Sequence, residues 1–296
     1  MSQPPSMHPL LASDGNLRRR HAANRVMEIG AWAAALLAVA VLALVIASVA
    51  AKGAGEINIG FLTGNTQSFE PGGIGNAIVG SAVIVGIATL MAVPFGILIG
   101  IYTSEFAHQR ASFAIRYVLD ILNGVPTIVT GIFVFGLIVA PQQQLSGFAG
   151  SVALAIVMLP LVARSCHEVL TLVPGTVKEA GLALGASRWR TTLWVVVPTA
   201  LSGMVTGALL AVARALGETA PLLLVTGVFA DTVQTDPSQA LPNIPVIIYR
   251  YSESPSPEKH AEAWGAALVL IAIVLLISIV ARTLSARTRR RLGAAR

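Results

Sequence analysis

Long apolar stretches with few or no charged residues are the feature that most restricts how this sequence folds. A helix needs about 20 apolar residues to cross the hydrocarbon core of a bilayer. Suitable stretches are Ile29 to Ala51, the region within Ile74 to Ser104, Ile121 to Ala163, about Pro198 to Val228, and Trp264 to Val280. Because they lack the alternation of a barrel strand, the sequence predicts an all-α membrane protein.

The stretch from Ile121 to Ala163 is too long for a single crossing. Pro141, three glutamines and Gly147 interrupt it, which predicts two helices joined by a polar turn and therefore six spans in total. The composition agrees, since 55% of the residues are apolar and only 11% are charged, where a soluble domain carries roughly 25% charged residues. The predicted permease domain covers residues 29–284, with a core at about 70–284.

Basic residues predict the orientation of these spans. Of 20 Lys and Arg residues, 16 lie in the terminal tails and in the segments after spans two and four, whereas 3 lie on the opposite side. Because loops rich in Lys and Arg stay cytoplasmic, both termini are predicted to be cytoplasmic. Residues 1–28 are predicted to be a disordered basic tail and residues 285–296 a second basic tail. A signal peptide is the alternative for span one, but its 23 uncharged residues exceed the roughly 7 to 15 of a signal core.

The chain lacks the motifs of an ATPase, a metalloenzyme or a membrane protease. None of Lys52, Lys178 and Lys259 lies in the Gly-Lys-Ser/Thr sequence of a phosphate-binding loop. The five histidines are scattered, and the single cysteine, Cys166, excludes an intrachain disulfide. The sequence therefore predicts a non-catalytic subunit without metal or cofactor, and any ATP hydrolysis would belong to another chain.

The connection between spans four and five, at about 174–198, is predicted to contain two short helices. Val177, Ala180, Gly181 and Leu184 recur at helical spacing and form a narrow face of mostly small side chains, and Gly185 is a natural stop. Ser187 can cap a second helix. Such a face allows another protein to approach closely; the alternative is a helix that lies on the lipid headgroups.

Glu179-Ala180-Gly181, Gly185 and Val195-Val196-Val197-Pro198 resemble the Glu-Ala-Ala, Gly, Ile-x-Leu-Pro signature of permease subunits of ATP-driven bacterial importers. Gly181 replaces the second alanine, and valines replace Ile and Leu. The resemblance implies the type I ABC importer permease fold. It also implies a cytoplasmic coupling helix that docks on the ATPase through Glu179, Ala180, Gly181 and Gly185.

Arg214 and Glu218 are charged residues inside predicted span five, where a charge costs about 2.5 to 3.5 kcal/mol on insertion scales and marks a functional position. Arginine offers a fork of donors to an oxyanion, whereas glutamate offers only acceptors. An oxyanion that keeps a proton, such as phosphate, satisfies both residues, whereas sulfate leaves the glutamate without a donor. The alternative is a self-neutralised pair that joins this span to a neighbour.

The stretch from Arg214 to Leu223 resembles the corresponding span of PstA-type permeases of phosphate-specific importers, which carry Arg and Glu at these two positions. The likeness extends over about residues 70–285, including Gly124 to Gly131 and Ile244 to Tyr249. It implies a substrate path that includes Arg214, Glu218, Thr219 and Arg164. The alternative for Arg164 is a span-end arginine that reaches the headgroups or pairs with Glu168.

The resemblance also implies partners: a PstC-type permease, two PstB-type ATPase chains that bind ATP and Mg, and a PstS-type phosphate-binding protein outside a bacterial inner membrane. Three functional alternatives stay open at this point. They are a permease for another oxyanion such as sulfate or phosphonate, a secondary transporter or channel in which Glu218 relays protons, and a membrane scaffold that signals phosphate status.

Overall fold

The computed structural model describes residues 14–66, 72–227 and 232–293, and these residues contain helices and no strands. Thirteen α-helices occur in this part of the chain. They are α1 Asp14–Gly53, α2 Ile59–Thr63, α3 Gly75–Ile101, α4 Gln109–Gly124, α5 Thr127–Val134, α6 Ala140–Gln142, α7 Gly147–Thr171, α8 Gly175–Ala183, α9 Arg188–Thr191, α10 Val197–Ala215, α11 Leu222–Val225, α12 Ile244–Ser252 and α13 Pro257–Gly293. Three π-helical turns are inserted among them, at Tyr102–Phe106, Phe135–Val139 and Thr192–Val196.

Within the described residues, five helical stretches are long and apolar enough to cross a membrane. They are Arg19–Glu56, Gly75–Phe106, Gly147–Thr171, Arg188–Ala215 and Pro257–Thr283. A sixth candidate is a pair of helices, Gln109–Gly124 and Thr127–Gln142, bent by 93° relative to each other. The all-α membrane architecture is therefore confirmed, with one of the six spans broken.

The third predicted span is wrong in its first part. The sequence placed its start at Ile121, but helix α4 already begins at Gln109 and ends at Gly124. Pro126 causes the break, because the residue before a proline disfavours helical backbone and proline has no amide hydrogen to donate. The polar turn before Gly147 is confirmed, and Gln143 takes a left-handed conformation there, with φ at 53°.

The fifth predicted span, drawn from Pro198 to about Val228, is interrupted in the structure. Helix α10 ends at Ala215, and a turn leads to the short helix α11. Gly217 and Pro221 lie in this turn, and both residue types are poor helix formers. Val228 lies outside the described residues.

Both terminal tails are more helical than predicted. Helix α1 begins at Asp14, so residues 14–28 are helical, whereas residues 1–13 of the predicted tail lie outside the described part. Helix α13 continues to Gly293 and takes in most of the second tail. Alanine and arginine favour helix, and extending a formed helix costs far less than starting one.

Helices α3 and α7 form the centre of the unit that follows residue 51. A Cβ on Gly100 would lie 2.5 Å from the Cβ of Cys166, and one on Gly96 would lie 2.8 Å from the side chain of Val162. Small residues four positions apart let the two backbones approach closely, as in other membrane helix pairs. Apolar residues of α3, α7 and α10 pack around this contact.

An ion pair is buried at the start of α13. Lys259 and Glu262 are 2% and 5% exposed, and Nζ lies 3.0 Å from Oε2. The other carboxylate oxygen of Glu262 accepts a hydrogen bond from the amide of Gly72 at 3.0 Å, which ties α13 to the segment before α3. The ammonium of Lys259 also lies 4.6 Å from the ring centre of Tyr251 in α12.

Candidate functional site

Arg214 lies at the point where α10 ends. The amide of Gly217 donates to the carbonyl of Arg214 at 3.0 Å, and the amide of Glu218 donates to the carbonyl of Ala215 at 3.2 Å. These bonds close a tight turn in place of another helical turn. The carbonyl of Thr219 then accepts from Leu223 at 3.0 Å, so Thr219 begins the next helical turn.

The predicted pairing of Arg214 with Glu218 is present in the structure. Arg214 Nε donates to Glu218 Oε1 at 3.5 Å, a long contact. Glu218 is 16% exposed, whereas Arg214 is 57% exposed. Since Glu218 lies in the turn beyond the helix, the two residues meet across the end of α10. A weak pair with an exposed guanidinium leaves most of the Arg214 donors available to a ligand.

The break between α4 and α5 lies beside Arg214. A cavity of about 40 Å³ is lined by Arg214, by Asn123 and Val125 at the break, and by Thr127 and Thr130 in the first turn of α5. The first amides of a helix have no partner within the helix and carry a partial positive charge, which favours an anion. An arginine and a helix start therefore face the same small cavity.

Close backbone contact holds α5 against the segment that follows α10. A Cβ added to Gly131 of α5 would lie 2.8 Å from Cα of Pro221 and 2.9 Å from its carbonyl oxygen. Glycine is required here because any side chain would push the two segments apart. The sequence signal for this arrangement is the Gly124-Val125-Pro126-Thr127 stretch, which ends one helix and starts another. Sequence reasoning missed Asn123, Thr127 and Thr130 as neighbours of Arg214.

Arg164 lies in a second cavity, of about 230 Å³, between α4 and α7. Its Nε donates to Glu168 Oε1 at 3.0 Å, and its Nη1 donates to Asp120 Oδ1. Arg116 and His167 line the same cavity. The pairing with Glu168 that the sequence left open is therefore present, and Asp120, which the sequence did not single out, adds a second carboxylate.

The connection after α7 folds as two short helices, as predicted. Helix α8 is followed by Gly185 with φ at +81°, a conformation that favours glycine, and Ser187 Oγ accepts from the amide of Arg190 at 3.4 Å to cap α9. Glu179 and Ala180 are exposed. Gly181 is buried, because a Cβ there would lie 2.7 Å from Thr191 Cγ2 of the same chain. The small face therefore serves partly to pack α8 on α9.

Glu105 connects these two short helices to the end of the second span. Lys178 Nζ of α8 lies 2.7 Å from Glu105 Oε1, and the guanidinium of Arg188 in α9 donates to the backbone carbonyl of Glu105. Sequence reasoning used Glu105 only as the boundary of an uncharged stretch. Its partners lie 73 and 83 positions further along the chain, so no local pattern reveals them.

The chain resembles known permeases in sequence and in fold. It is 35% identical over 273 residues to the phosphate transport system permease protein PstA of Yersinia pestis, covering 91% of this chain and 92% of the relative. It is 39% identical over 233 residues to PstA of Haemophilus influenzae, covering 78% and 82% of the two chains. The probable PstA of Methanocaldococcus jannaschii is also 39% identical, over 247 residues, with 83% and 88% covered.

Solved structures confirm the fold. An inward-facing MetNI methionine ABC transporter superimposes with a TM-score of 0.57 at 18% identity, covering 73% of this chain and 94% of the transporter chain. An amino acid ABC transporter with histidines gives a TM-score of 0.51 at 16% identity, covering 74% and 92%. The predicted type I importer permease architecture is therefore correct.

The sequence family described as the binding-protein-dependent transport system inner membrane component matches residues 92–293. This match covers the bent pair, the Arg214 turn and the two short helices after α7. The chain therefore belongs to this family of multi-pass membrane permeases, within the PstA-type phosphate permease branch.

Proposed function

We propose that this chain is a membrane-spanning subunit of an ATP-driven importer of inorganic phosphate. The observation that carries the proposal is the cavity in which Arg214 faces the start of α5, while Arg214 Nε lies 3.5 Å from the carboxylate of Glu218. The names of the relatives, which are phosphate permeases, support the same substrate.

The chemistry of this cavity favours phosphate over sulfate. The guanidinium of Arg214 and the first amides of α5 are donors, and they can receive the oxyanion oxygens. Glu218 is an acceptor, and it needs a ligand that still carries a proton. Phosphate at neutral pH keeps at least one proton, whereas sulfate has none and would meet only repulsion from the carboxylate. Thr219, which follows Glu218 and starts the next helical turn, is proposed to line the phosphate path beside these residues.

Arg164 is proposed to receive phosphate on its way to the cytoplasm. The cavity around it also contains Arg116, whose positive charge means that Asp120 and Glu168 face two guanidinium groups and not Arg164 alone. For phosphate to bind there, its oxygens must replace those carboxylates on the guanidinium. An exchange of one oxyanion for another costs less than breaking the pair outright, because the arginine is never left without a partner.

The proposed assembly contains four kinds of chain. The chain would pair with a PstC-type permease, dock on a homodimer of PstB-type ATPases that bind ATP and Mg, and receive phosphate from a PstS-type binding protein. Both termini would be cytoplasmic in a bacterial inner membrane, as the distribution of basic residues indicates. The permease would need no cofactor of its own. Among the described residues, no cluster of three His, Cys, Asp or Glu side chains is placed to hold a metal ion.

The two helices α8 and α9 are proposed to dock on the ATPase. Glu179 and Ala180 present an exposed surface, next to the exposed side chains of Leu182 and Leu184. Gly181 and Gly185 act from within, because the first allows α8 to pack on Thr191 and the second reverses the chain. Closure of the ATPases on ATP would move this surface and open the path to the outside, and hydrolysis would reopen the inner side.

The test of the proposal is phosphate uptake by the reconstituted four-component complex with Arg214→Ala. Loss of two charge-assisted hydrogen bonds should lower uptake about 100-fold or more, while the complex still assembles and hydrolyses ATP. Arg110→Ala is the matched control, since Arg110 is an exposed arginine at the start of α4. Full uptake by Arg214→Ala would refute the assigned path. Uptake by the purified chain alone in liposomes would instead favour a secondary transporter.

A further inference from the structure

We propose that Glu105 is a positioning residue that joins the coupling segment, residues 175–191, to the second span and so passes movement of the ATPase to α3. This inference rests on the proposed function, because it assumes that the coupling segment docks on an ATPase. Glu105 would attach that docking surface to the membrane helices of the same chain.

The side-chain contact is stronger than an ordinary surface ion pair. Glu105 is 8% exposed and Lys178 is 28% exposed, and their charged atoms lie 2.7 Å apart. Exposed pairs contribute little, because water screens them and the side chains lose freedom when they pair. Partial burial reduces the screening, so the attraction between Glu105 and Lys178 is larger. Neutralising Lys178 would leave a buried carboxylate with less compensation.

The backbone contact depends on the π-helical turn Tyr102–Phe106. The amide of Ala107 donates to the carbonyl of Tyr102 at 2.8 Å, and there the helix stops. The last carbonyls of a helix have no amide partner within the helix. Arg188 supplies a donor to one of them, the carbonyl of Glu105. A π turn inside a membrane helix is often found at a functional position.

Aromatic side chains strengthen the same contact. The guanidinium of Arg188 lies 5.6 Å from the ring centre of Phe106, within the range of a cation–π interaction. The ring of Phe106 lies 5.2 Å from that of Trp189, in a tilted arrangement. The joint is therefore formed by two adjacent residues of the second span, Glu105 and Phe106, and by three residues of the coupling segment.

The coupling segment is connected in different ways to α10 and to α3. The coupling segment runs directly into the π turn Thr192–Val196 and then into α10, whose end carries Arg214. Its connection to α10 is therefore covalent. Its connection to α3 crosses the chain through Glu105 and Phe106. Without the Glu105 contact, α3 would follow the ATPase only through its packing on α7, and less of the ATP hydrolysed would result in transport.

The experiment uses the reconstituted four-component complex carrying Glu105→Gln, Lys178→Gln or both, with Arg110→Gln as control. Glutamine keeps the shape of Glu105 and its backbone carbonyl, and the buried Glu105 side chain has no access to the ATPase. We measure phosphate transported per ATP hydrolysed, basal ATP hydrolysis, and its stimulation by the phosphate-loaded binding protein. Co-purification of the partner chains reports assembly.

The expected result is that Glu105→Gln lowers phosphate transported per ATP about fivefold or more, the lower end of coupling between two sites. Assembly and basal hydrolysis should stay as in the wild type, and stimulation by the binding protein should fall. The double variant should be no worse than Glu105→Gln, because both changes break one contact.

An unchanged ratio of transport to hydrolysis in Glu105→Gln would overturn the inference, whether both rates stay normal or fall together. Independent, additive losses in the two single variants would also overturn it, since Lys178 would then act elsewhere. A wild-type complex that hydrolyses ATP but imports no phosphate would refute the proposed function. The joint is still tested in that case by whether Glu105→Gln loses the stimulation by the binding protein.

Discussion

Replacing Glu218 by glutamine tests whether this carboxylate selects an oxyanion that carries a proton. Glutamine has nearly the same shape, but its amide offers donors as well as an acceptor and carries no charge. In the proposed path, wild-type Glu218 would accept a hydrogen bond from protonated phosphate and would repel sulfate. In Glu218→Gln, the charge-assisted hydrogen bond to phosphate is lost, and sulfate can receive a donor from the amide.

The size of the effect follows from the geometry. A hydrogen bond to a charged group contributes about 1.5 to 3 kcal/mol, which corresponds to roughly 10- to 150-fold in the dissociation constant. Glu218 is 16% exposed and its partner Arg214 is 57% exposed in the chain alone. Solvent screening therefore favours the lower part of this range, about tenfold weaker phosphate binding. Sulfate binding should become stronger at the same time, so the ratio of the sulfate to the phosphate dissociation constant should fall for both reasons.

The assay must avoid the soluble binding protein, which would itself select the anion before it reaches the membrane. The dissociation constants are therefore measured on the purified complex of permeases and ATPases, titrated directly with phosphate and with sulfate. Stabilisation of the complex against thermal unfolding gives the same order of affinities, since a ligand that binds only the folded state stabilises it.

Glu218→Asp is the matched control, because it keeps the carboxylate on a shorter side chain and should still reject sulfate. Equal affinity of the wild-type complex for phosphate and sulfate would refute the selection by proton donation. An unchanged phosphate dissociation constant in Glu218→Gln would refute it as well.

Two further predictions concern the packing that supports the site. Lys259→Met removes the ammonium that lies 3.0 Å from the buried carboxylate of Glu262. The variant should lower the free energy of unfolding by about 3 to 5 kcal/mol, measured as a lower thermal unfolding temperature. A melting curve like that of the wild type would contradict the burial of this charge. Gly131→Ala places a Cβ 2.8 Å from Cα of Pro221, so it should weaken phosphate binding to the purified complex. Gly136→Ala is the control and should leave phosphate binding unchanged, because a Cβ there meets nothing within 4 Å. Equal binding by both variants would show that the close contact between Gly131 and Pro221 is not required.

The sequence predicts the spans well where a single local property decides them. Charge-free runs gave the candidate helices α1, α3, α7 and α13, because the cost of burying charge in lipid is large and depends only on the local segment. Ser187 and Gly185 likewise act within a few residues of their own positions, and the capped helix and the left-handed turn were predicted correctly.

Hydropathy predicts less where a helix breaks inside an apolar stretch. The break at Pro126 lies in an apolar stretch, and the turn at Gly217 lies in a span that is apolar apart from Arg214 and Glu218, so hydropathy averaged over a span does not reveal either interruption. The segments with proline and glycine were visible in the sequence, but their effect depends on tertiary packing, here the contact of Gly131 with Pro221. Neighbours far apart in the chain, such as Asn123 beside Arg214, follow only from the folded arrangement.

Several charges of the described membrane region lie where regular helix ends. Arg214 and Glu218 meet across the end of α10, Glu105 follows the end of α3, and Asp120 lies one turn before the end of α4. At such places the backbone has carbonyls or amides without helical partners, so a charged side chain finds polar neighbours that a continuous helix does not offer. The bond from Arg188 to the carbonyl of Glu105 is one such case. A break therefore supplies the polar surroundings in which a charge can be held within an apolar chain, and a place where the chain can bend as the importer changes conformation. Arg214 and Glu218 of the proposed anion path and Glu105 of the proposed coupling joint therefore occur at the same kind of position, where a helix is interrupted.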